Sequence, residues 1–288
     1  MKRNTAVKVL GVSLISTSAI ILASKCQFEN TVNNWVDELR KTASPIRDQV
    51  FAGDNLKELP VPVQRYFDNV LTEGQPYVDF VYLRQRGEFR LGEAKDSWKP
   101  FEATQHFTVN PPGFVWDAHI EMFPFISARA LDMYQQGEGT LRAKVMSTVP
   151  VAKAGPNPKM NSGELLRYLA ESVWFPTALL PSQGVKWEAI GQQSARATIE
   201  DAGANASLVF HFNDQNEVEK VHTDHRYRQE DRSYQPWTGY FDNYQVRNGL
   251  RIPLDAEVEW NLPNKDVTYW RASIEEIDHK RANERTNH

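Results

Sequence analysis

Over most of this chain, apolar side chains recur at every second position. In residues 81–91, Val81, Leu83, Phe89 and Leu91 share one face with Gln85 and Gly87, while Tyr82, Arg84, Arg86, Glu88 and Arg90 share the other. That period belongs to a half-buried strand. Phe101, Ala103, Phe107 and Val109 repeat it against Glu102, Thr104, His106 and Thr108, and Trp116, Ala118, Ile120 and Met122 repeat it against Asp117, His119 and Glu121. Further strands are expected over 126–135 and 139–148. Beyond Pro181 the alternation resumes in 185–190, 195–200, 204–212, 218–228, 237–247, 250–262 and 267–277. Between the runs fall a hinge at Asn110, Pro111, Pro112 and Gly113 and two hairpin signals, Asp201 to Gly203 and Asn248 with Gly249. The cleanest alternation sets Leu254, Ala256, Val258, Trp260 and Leu262 against Asp255, Glu257, Glu259 and Asn261. Each strand thus has one dry face, and neighbours in sequence can pair antiparallel. A strongly twisted sheet rarely exceeds ~10 strands without curling. The expected fold class is therefore mostly β with a few helices: a curved, incompletely closed antiparallel β-barrel of about eleven strands covered by a helix. A β-sandwich is the alternative.

Two stretches carry helical spacing instead. In 59–71, Pro60 and Pro62 suit a first turn, Val63, Phe67, Val70 and Leu71 form a stripe, and Gly74 and Pro76 stop it. In 163–181, GELLRYLAESVWFPTALLP, the stripe is Leu165, Leu166, Leu169 and Val173, with Glu164, Arg167 and Glu171 on the adjoining face at spacings of three and four. Asn161 or Ser162 can cap this helix. With Asn161 as the cap, Glu164 takes the third helical position, where its carboxylate reaches free backbone donors. Pro176 disfavours helix at Phe175, so the chain should exit near Trp174 and Phe175. A central helix over 162–175 follows. It is either a core helix with a surface row of ion pairs or a lid on an apolar cavity, with Arg167 held between two carboxylates. Residues 31–57 are more weakly helical, with Val32, Trp35, Val36 and Leu39 on one side and Pro45 interrupting.

At the start of the chain Lys2, Arg3 and Lys8 precede an uncharged stretch over 9–24, the order of an export signal. It is short of the ~20 residues of a full span, so a cleaved signal peptide and a short N-terminal membrane anchor both fit. The charge bias keeps the N-terminus in the cytoplasm and puts the remainder outside it. The expected organisation is signal or anchor over 1–26, a helical spacer over 27–58, the antiparallel β domain with its central helix over 59–279, and a polar tail over 280–288. The expected location is extracytoplasmic, in the periplasm or membrane-anchored facing it. The one cysteine, Cys26, excludes an internal disulfide and a Cys-rich zinc site. Its place resembles the lipidated cysteine of bacterial lipoproteins, with Lys25 where those have a small residue. At 288 residues and 41% hydrophobic the chain can bury a large core. A net charge of −4 without a stripe of Lys or Arg excludes a nucleic-acid surface. Eight tryptophans supply aromatic area for a core or a ligand cavity.

The pieces LPVPVQRYF (59–67), PPGFVWDA (111–118) and GELLRYLAESVWFPTALLPSQGVKWEAI (163–190), with the later WTGYF and RIPL, resemble a bacterial family known only as a domain of unknown function. The resemblance covers about 59–277 and implies no activity, substrate or catalytic residue. The architecture inferred from the pattern is similar to periplasmic lipoprotein carriers and other lipid-binding half-barrels, a likeness of fold that does not fix function.

Candidate chemistry is sparse. GxSxG is absent, and Gly137, Glu138 and Gly139 lack the rest of a phosphate loop. Asp117, His119 and Glu121 share a strand face, but without a second donor cluster no metal is expected. Glu164 and Glu171 should both stay ionised beside Arg167. The leading expectation is a non-catalytic, cofactor-free extracytoplasmic domain, membrane-tethered or secreted, that binds a hydrophobic or lipid-like ligand. Its cavity wall would be Trp116, Trp174, Phe175, Trp187, Trp260 and Trp270. The polar candidates are Glu164, Arg167, Glu171 and Asp117, with Arg167 as partner for an acidic head group. The alternatives are an envelope hydrolase using Asp117, His119 or Glu164, and an envelope protein-protein interaction module, which predicts a large exposed apolar patch.

Overall fold

The computed structural model describes residues 3–46, 49–92 and 97–280, with the side chains of the first helix described from Leu22 onward. Helix α1 (Arg3–Thr42) and helix α2 (Val61–Val70) precede six strands: β1 (Phe80–Arg90), β2 (Trp98–Thr108), β3 (Gly113–Phe123), β4 (Ile126–Gln135), β5 (Glu138–Val145) and β6 (Val149–Ala154). Helix α3 (Pro158–Glu171) separates these from β7 (Lys186–Gly191), β8 (Ser194–Asp201), β9 (Ala204–Phe212), β10 (Val218–Arg228), β11 (Ser233–Arg247), β12 (Leu250–Leu262) and β13 (Lys265–Lys280). The strands form one 13-stranded sheet in the order β6-β5-β4-β3-β2-β1-β13-β12-β11-β10-β9-β8-β7. The chain therefore winds outward from the middle to the β6 edge, crosses by way of α3, and returns from the β7 edge until β13 pairs with β1, Phe80 opposite Lys280. The two edges do not pair, so the barrel stays open, and a single sheet replaces the sandwich alternative. Both expected hairpins form, with left-handed central residues at Ala202 and Gly203 and at Asn248 and Gly249, the turn that matches strand twist. The strand count exceeds the expected eleven. One addition is β6, an edge strand whose exposed residues show no alternating burial to read.

The dry faces point into the concave side, and α3 lies there, packed against β3, β4 and β5 on one half and β8, β9 and β10 on the other. Its cap is Asn157, earlier than expected: Asn157 Oδ1 accepts from the Lys159 and Met160 backbone N–H groups at 3.1 Å, and Pro158 fills the first turn. Asn161 instead accepts from the Gly139 N–H at 3.0 Å, tying β5 to the helix. At Gly139 a Cβ would lie 2.8 Å from Glu164 Cγ and 3.0 Å from the Met160 carbonyl, so only glycine permits this approach. The α-helix ends at Glu171, and the chain continues through buried 3-10 turns at Ser172–Trp174 and Pro176–Leu179. Helix α2 seats Tyr66 against Phe212 and Phe67 against Trp187. The open side is bridged where Tyr134 Oη donates to Asp201 at 2.8 Å.

The convex face carries α1. Phe28, Val32, Val36 and Leu39 pack with Val115 and Leu131. Arg129 stacks on Phe28 and pairs with both Asp117 and Glu29. Within the spacer expected over 27–58, the stretch from Phe28 to Leu39 thus lies docked on the sheet. Leu39 stands over Gly113 and Phe28 beside Arg129 and Lys144, so α1 runs, from its C-terminus to its N-terminus, toward the end of the sheet where β3 turns into β4. There Leu22, Ala23, Lys25, Cys26 and Gln27 are exposed. Most of the stretch over 9–24 falls on side chains outside the described residues, as does the tail from 281 onward. Among the described residues no helix is long and apolar enough to cross a membrane.

Candidate functional site

Between α3 and the concave face lies a cavity of about 580 Å³. Strand alternation builds its walls. From one half come Trp116, Ile120 and Met122 of β3 and Leu141, Ala143 and Val145 of β5; from the other come Trp237 and Phe241 of β11, Val258 of β12, and Tyr269 and Trp270 of β13. Trp174, on the turn after α3, completes the roof. The lining is apolar except for Asp132, Arg167, Glu171 and Arg226. The cavity opens toward the ends of β1, β3, β5 and β6, where Leu91 and Val151 belong both to its lining and to the exposed surface. Phe123, Phe125, Ile126 and Val149 stand exposed at the same end, Phe125 almost completely, at 99%.

A chain of hydrogen bonds crosses the floor. Trp116 Nε1 donates to Gln85 Oε1 at 3.1 Å, Gln85 Nε2 to Gln105 Oε1 at 3.4 Å, and Gln105 Nε2 to Glu171 Oε2 at 2.7 Å. Arg167 Nε then donates to Glu171 Oε1 at 2.9 Å and its Nη1 to Asp132 Oδ2 at 2.5 Å. The same guanidinium lies over the Phe114 and Trp116 rings. Burial alone would lower the Arg167 pKa, but Glu171 and Asp132 hold it above its ordinary value, so the cation persists. Burial pushes the carboxyls of Asp132 and Glu171 up, and Arg167 opposes it. Glu164 differs: burial, then the charge of Asp132, pushes its carboxyl up to about 8, and its Oε2 has no hydrogen-bond partner. Its neutral form is thereby favoured.

Of the expected wall residues, Trp116, Trp174 and Trp270 line the cavity. Phe175 is buried deeper, against Phe107 and Tyr168. Trp187 closes the core under α2, donating to the Leu179 carbonyl at 2.9 Å. Trp260 is outside the lining, half-buried and stacked on Tyr269. Among the polar candidates, Arg167 and Glu171 reach the cavity, while Glu164 lies behind them in the core. Arg167 is indeed held between two carboxylates, but the second is Asp132, and the expectation that Glu164 stays ionised is corrected by its burial. The surface ion-pair row is likewise replaced by a buried network. Asp117 sits on the opposite face, bidentate to Arg129 at 2.9 and 2.7 Å, and fastens α1. His119 and Glu121 share that face, exposed, so the hydrolase set Asp117, His119 and Glu164 is split across the sheet. Among the described residues no three His, Cys, Asp or Glu side chains stand close enough to hold a metal ion. The reading from sequence missed Asp132, Gln105 and Arg226. Asp132 and Gln105 were visible as polar residues at dry-face parity, following Ala128 and Ala130 in β4 and Phe101 and Ala103 in β2.

Searching the solved structures shows similarity to a LolA superfamily protein from Nitrosomonas europaea, at 11% identity and a TM-score of 0.43 over 81% of this chain and 94% of that one. A beta-barrel-like protein of the domain of unknown function DUF1849 from Brucella abortus is similar at 9% identity and a TM-score of 0.28, over 71% of this chain and 99% of that one. No curated protein matches the sequence. The family of unknown function DUF6920 matches residues 57–279, from just before α2 to the end of β13. The chain belongs to that family.

Proposed function

We propose that this protein binds a hydrophobic or lipid-like ligand, without catalysis, between the concave sheet and α3, as an extracytoplasmic domain tethered or exported by residues 1–26. The observation that carries this reading is the apolar cavity of about 580 Å³ roofed by α3 and Trp174, a volume within the ~300–1,000 Å³ of small-molecule sites. The exposed rim of Phe123, Phe125, Ile126, Val149 and Val151 continues the lining outward and is read as the entrance. An apolar rim is also what an interaction module would show, but its continuity with the lining favours the ligand. The hydrolase reading lacks support, since its three side chains do not converge.

Native mass spectrometry of the protein, purified gently from membranes and then exposed to vesicles, tests the proposal. The expected result is a bound amphiphile of defined mass that exchanges with added lipid. Protein that stays empty after both treatments would overturn the reading.

A further inference from the structure

Four charged side chains meet the cavity, and three are satisfied by one another. Arg167 bonds both Asp132 and Glu171, and Glu171 also accepts from Gln105. The fourth, Arg226, is different. It is half-buried in the wall, with its guanidinium 4.7 Å from the centre of the Trp237 ring and 5.7 Å from that of Trp260. These faces hold it by cation–π attraction without engaging its N–H donors. Among the described residues no carboxylate stands within ion-pair distance of Arg226 and no hydrogen bond reaches its side chain. Asp132 and Glu164 act on it only through space. A guanidinium on an apolar cavity wall whose N–H groups bond no protein acceptor leaves a place for an acceptor on the ligand.

We infer that Arg226 receives the anionic head group of an amphiphile whose apolar tail fills the cavity. This rests on the binding role proposed above and names the ligand's chemistry. A carboxylate or a phosphate monoester fits, because the guanidinium offers a planar set of donors. The tail would lie along Ile120, Met122, Val145 and Val258. Arg167, the head-group partner expected from sequence, is already charge-balanced by Asp132 and Glu171.

Laurate and dodecanol, which share a chain and differ in head-group charge, test the assignment by isothermal titration calorimetry on the full chain at pH 7. Wild type should bind laurate about tenfold or more tightly than dodecanol. In Arg226→Leu the preference should disappear, with laurate and dodecanol binding alike. Arg226→Lys keeps the charge but loses the fork, so it should retain part of the preference, and it supplies the same test if the leucine variant does not fold. Equal binding of both probes by wild type, or a preference that survives Arg226→Leu, would overturn the head-group site while leaving the cavity reading intact. No binding of either probe would overturn both.

Discussion

Burial in the core favours the protonated form of Glu164. In the unfolded chain that proton leaves near the ordinary value of 4.5, and in the folded protein burial and the Asp132 carboxylate delay its loss to about 8. Between those values the folded state holds a proton that the unfolded state has released, so stability falls as pH rises. The contribution is complete below 4.5 and gone once pH has passed 8. A tenfold change in proton affinity corresponds to about 1.4 kcal/mol, so a loss of a few kcal/mol is expected. Urea unfolding followed from pH 5 to 8.5 should show this decline in wild type and a much flatter profile in Glu164→Gln. Equal slopes in the two proteins would refute it. Ionised Glu164 also adds a carboxylate to a site that already holds Asp132, Glu171, Arg167 and Arg226, so laurate affinity should weaken above pH 8 in wild type and not in the variant. The helical spacing of Glu164, Arg167 and Glu171 was legible because α3 keeps them on one face. The partner of Arg167 was not, because Asp132 reaches it from another element. Arg226 was hidden by the register shifts in β10, between Val218 and Lys220 and between Thr223 and Arg226, which break the parity that sorts wet from dry faces.

Helix α3 is positioned by contacts that its own hydrophobic stripe does not encode. The stripe fixes which face is buried, and Leu165, Leu166, Leu169 and Val173 are all buried as the spacing requires. Depth and start are set elsewhere, by Gly139 on β5 and by Asn157. A methyl group at Gly139 meets Glu164 Cγ and the Met160 carbonyl, and backbone cannot swing aside like a flexible side chain. Gly139→Ala should therefore destabilise by about 1–3 kcal/mol through overpacking and weaken ligand binding by shifting the roof of the cavity; unchanged thermal melting would contradict the close approach. Asn157→Ala should cost about 1 kcal/mol through the lost cap without altering ligand selectivity, a contrast that separates helix stability from helix placement. The caps expected from sequence were Asn161 or Ser162, and the structure uses Asn157, one turn earlier. Pro158 suits that start, because it then takes the first helical position, where its missing N–H costs nothing. The long strands were readable because each has one wet and one dry face. β6 was not, because an edge strand exposed at all but its last residue shows no period.

On the scale of the whole molecule, the crossing from β6 to β7 puts α3 inside and leaves both sheet edges free, so one end stays open to the cavity. That end is also where α1 leaves the sheet past Phe28, with Leu22 exposed, and where the β3–β4 turn presents Phe123 and Phe125. Lys99 sits 5.0 Å over the Phe123 ring, which sets a cation beside the apolar tip, an arrangement suited to a surface with acidic head groups over hydrocarbon. If the 9–24 stretch is the anchor or export segment proposed above, the helix delivers the cavity mouth facing the membrane from which the ligand comes. The rim then serves transfer, whereas the interior serves affinity, and the two roles separate by experiment. Phe123→Ser with Phe125→Ser removes two side chains whose burial is each worth about 1.5–3 kcal/mol. Uptake of lipid from vesicles containing acidic phospholipid should slow about tenfold or more in that double variant, while its equilibrium affinity for laurate in solution stays at the wild-type value, because neither phenylalanine lines the cavity. Slowed uptake accompanied by an equal loss of laurate affinity would instead make the rim part of the binding wall, and unchanged uptake would show that ligand enters elsewhere along the open edge between β6 and β7.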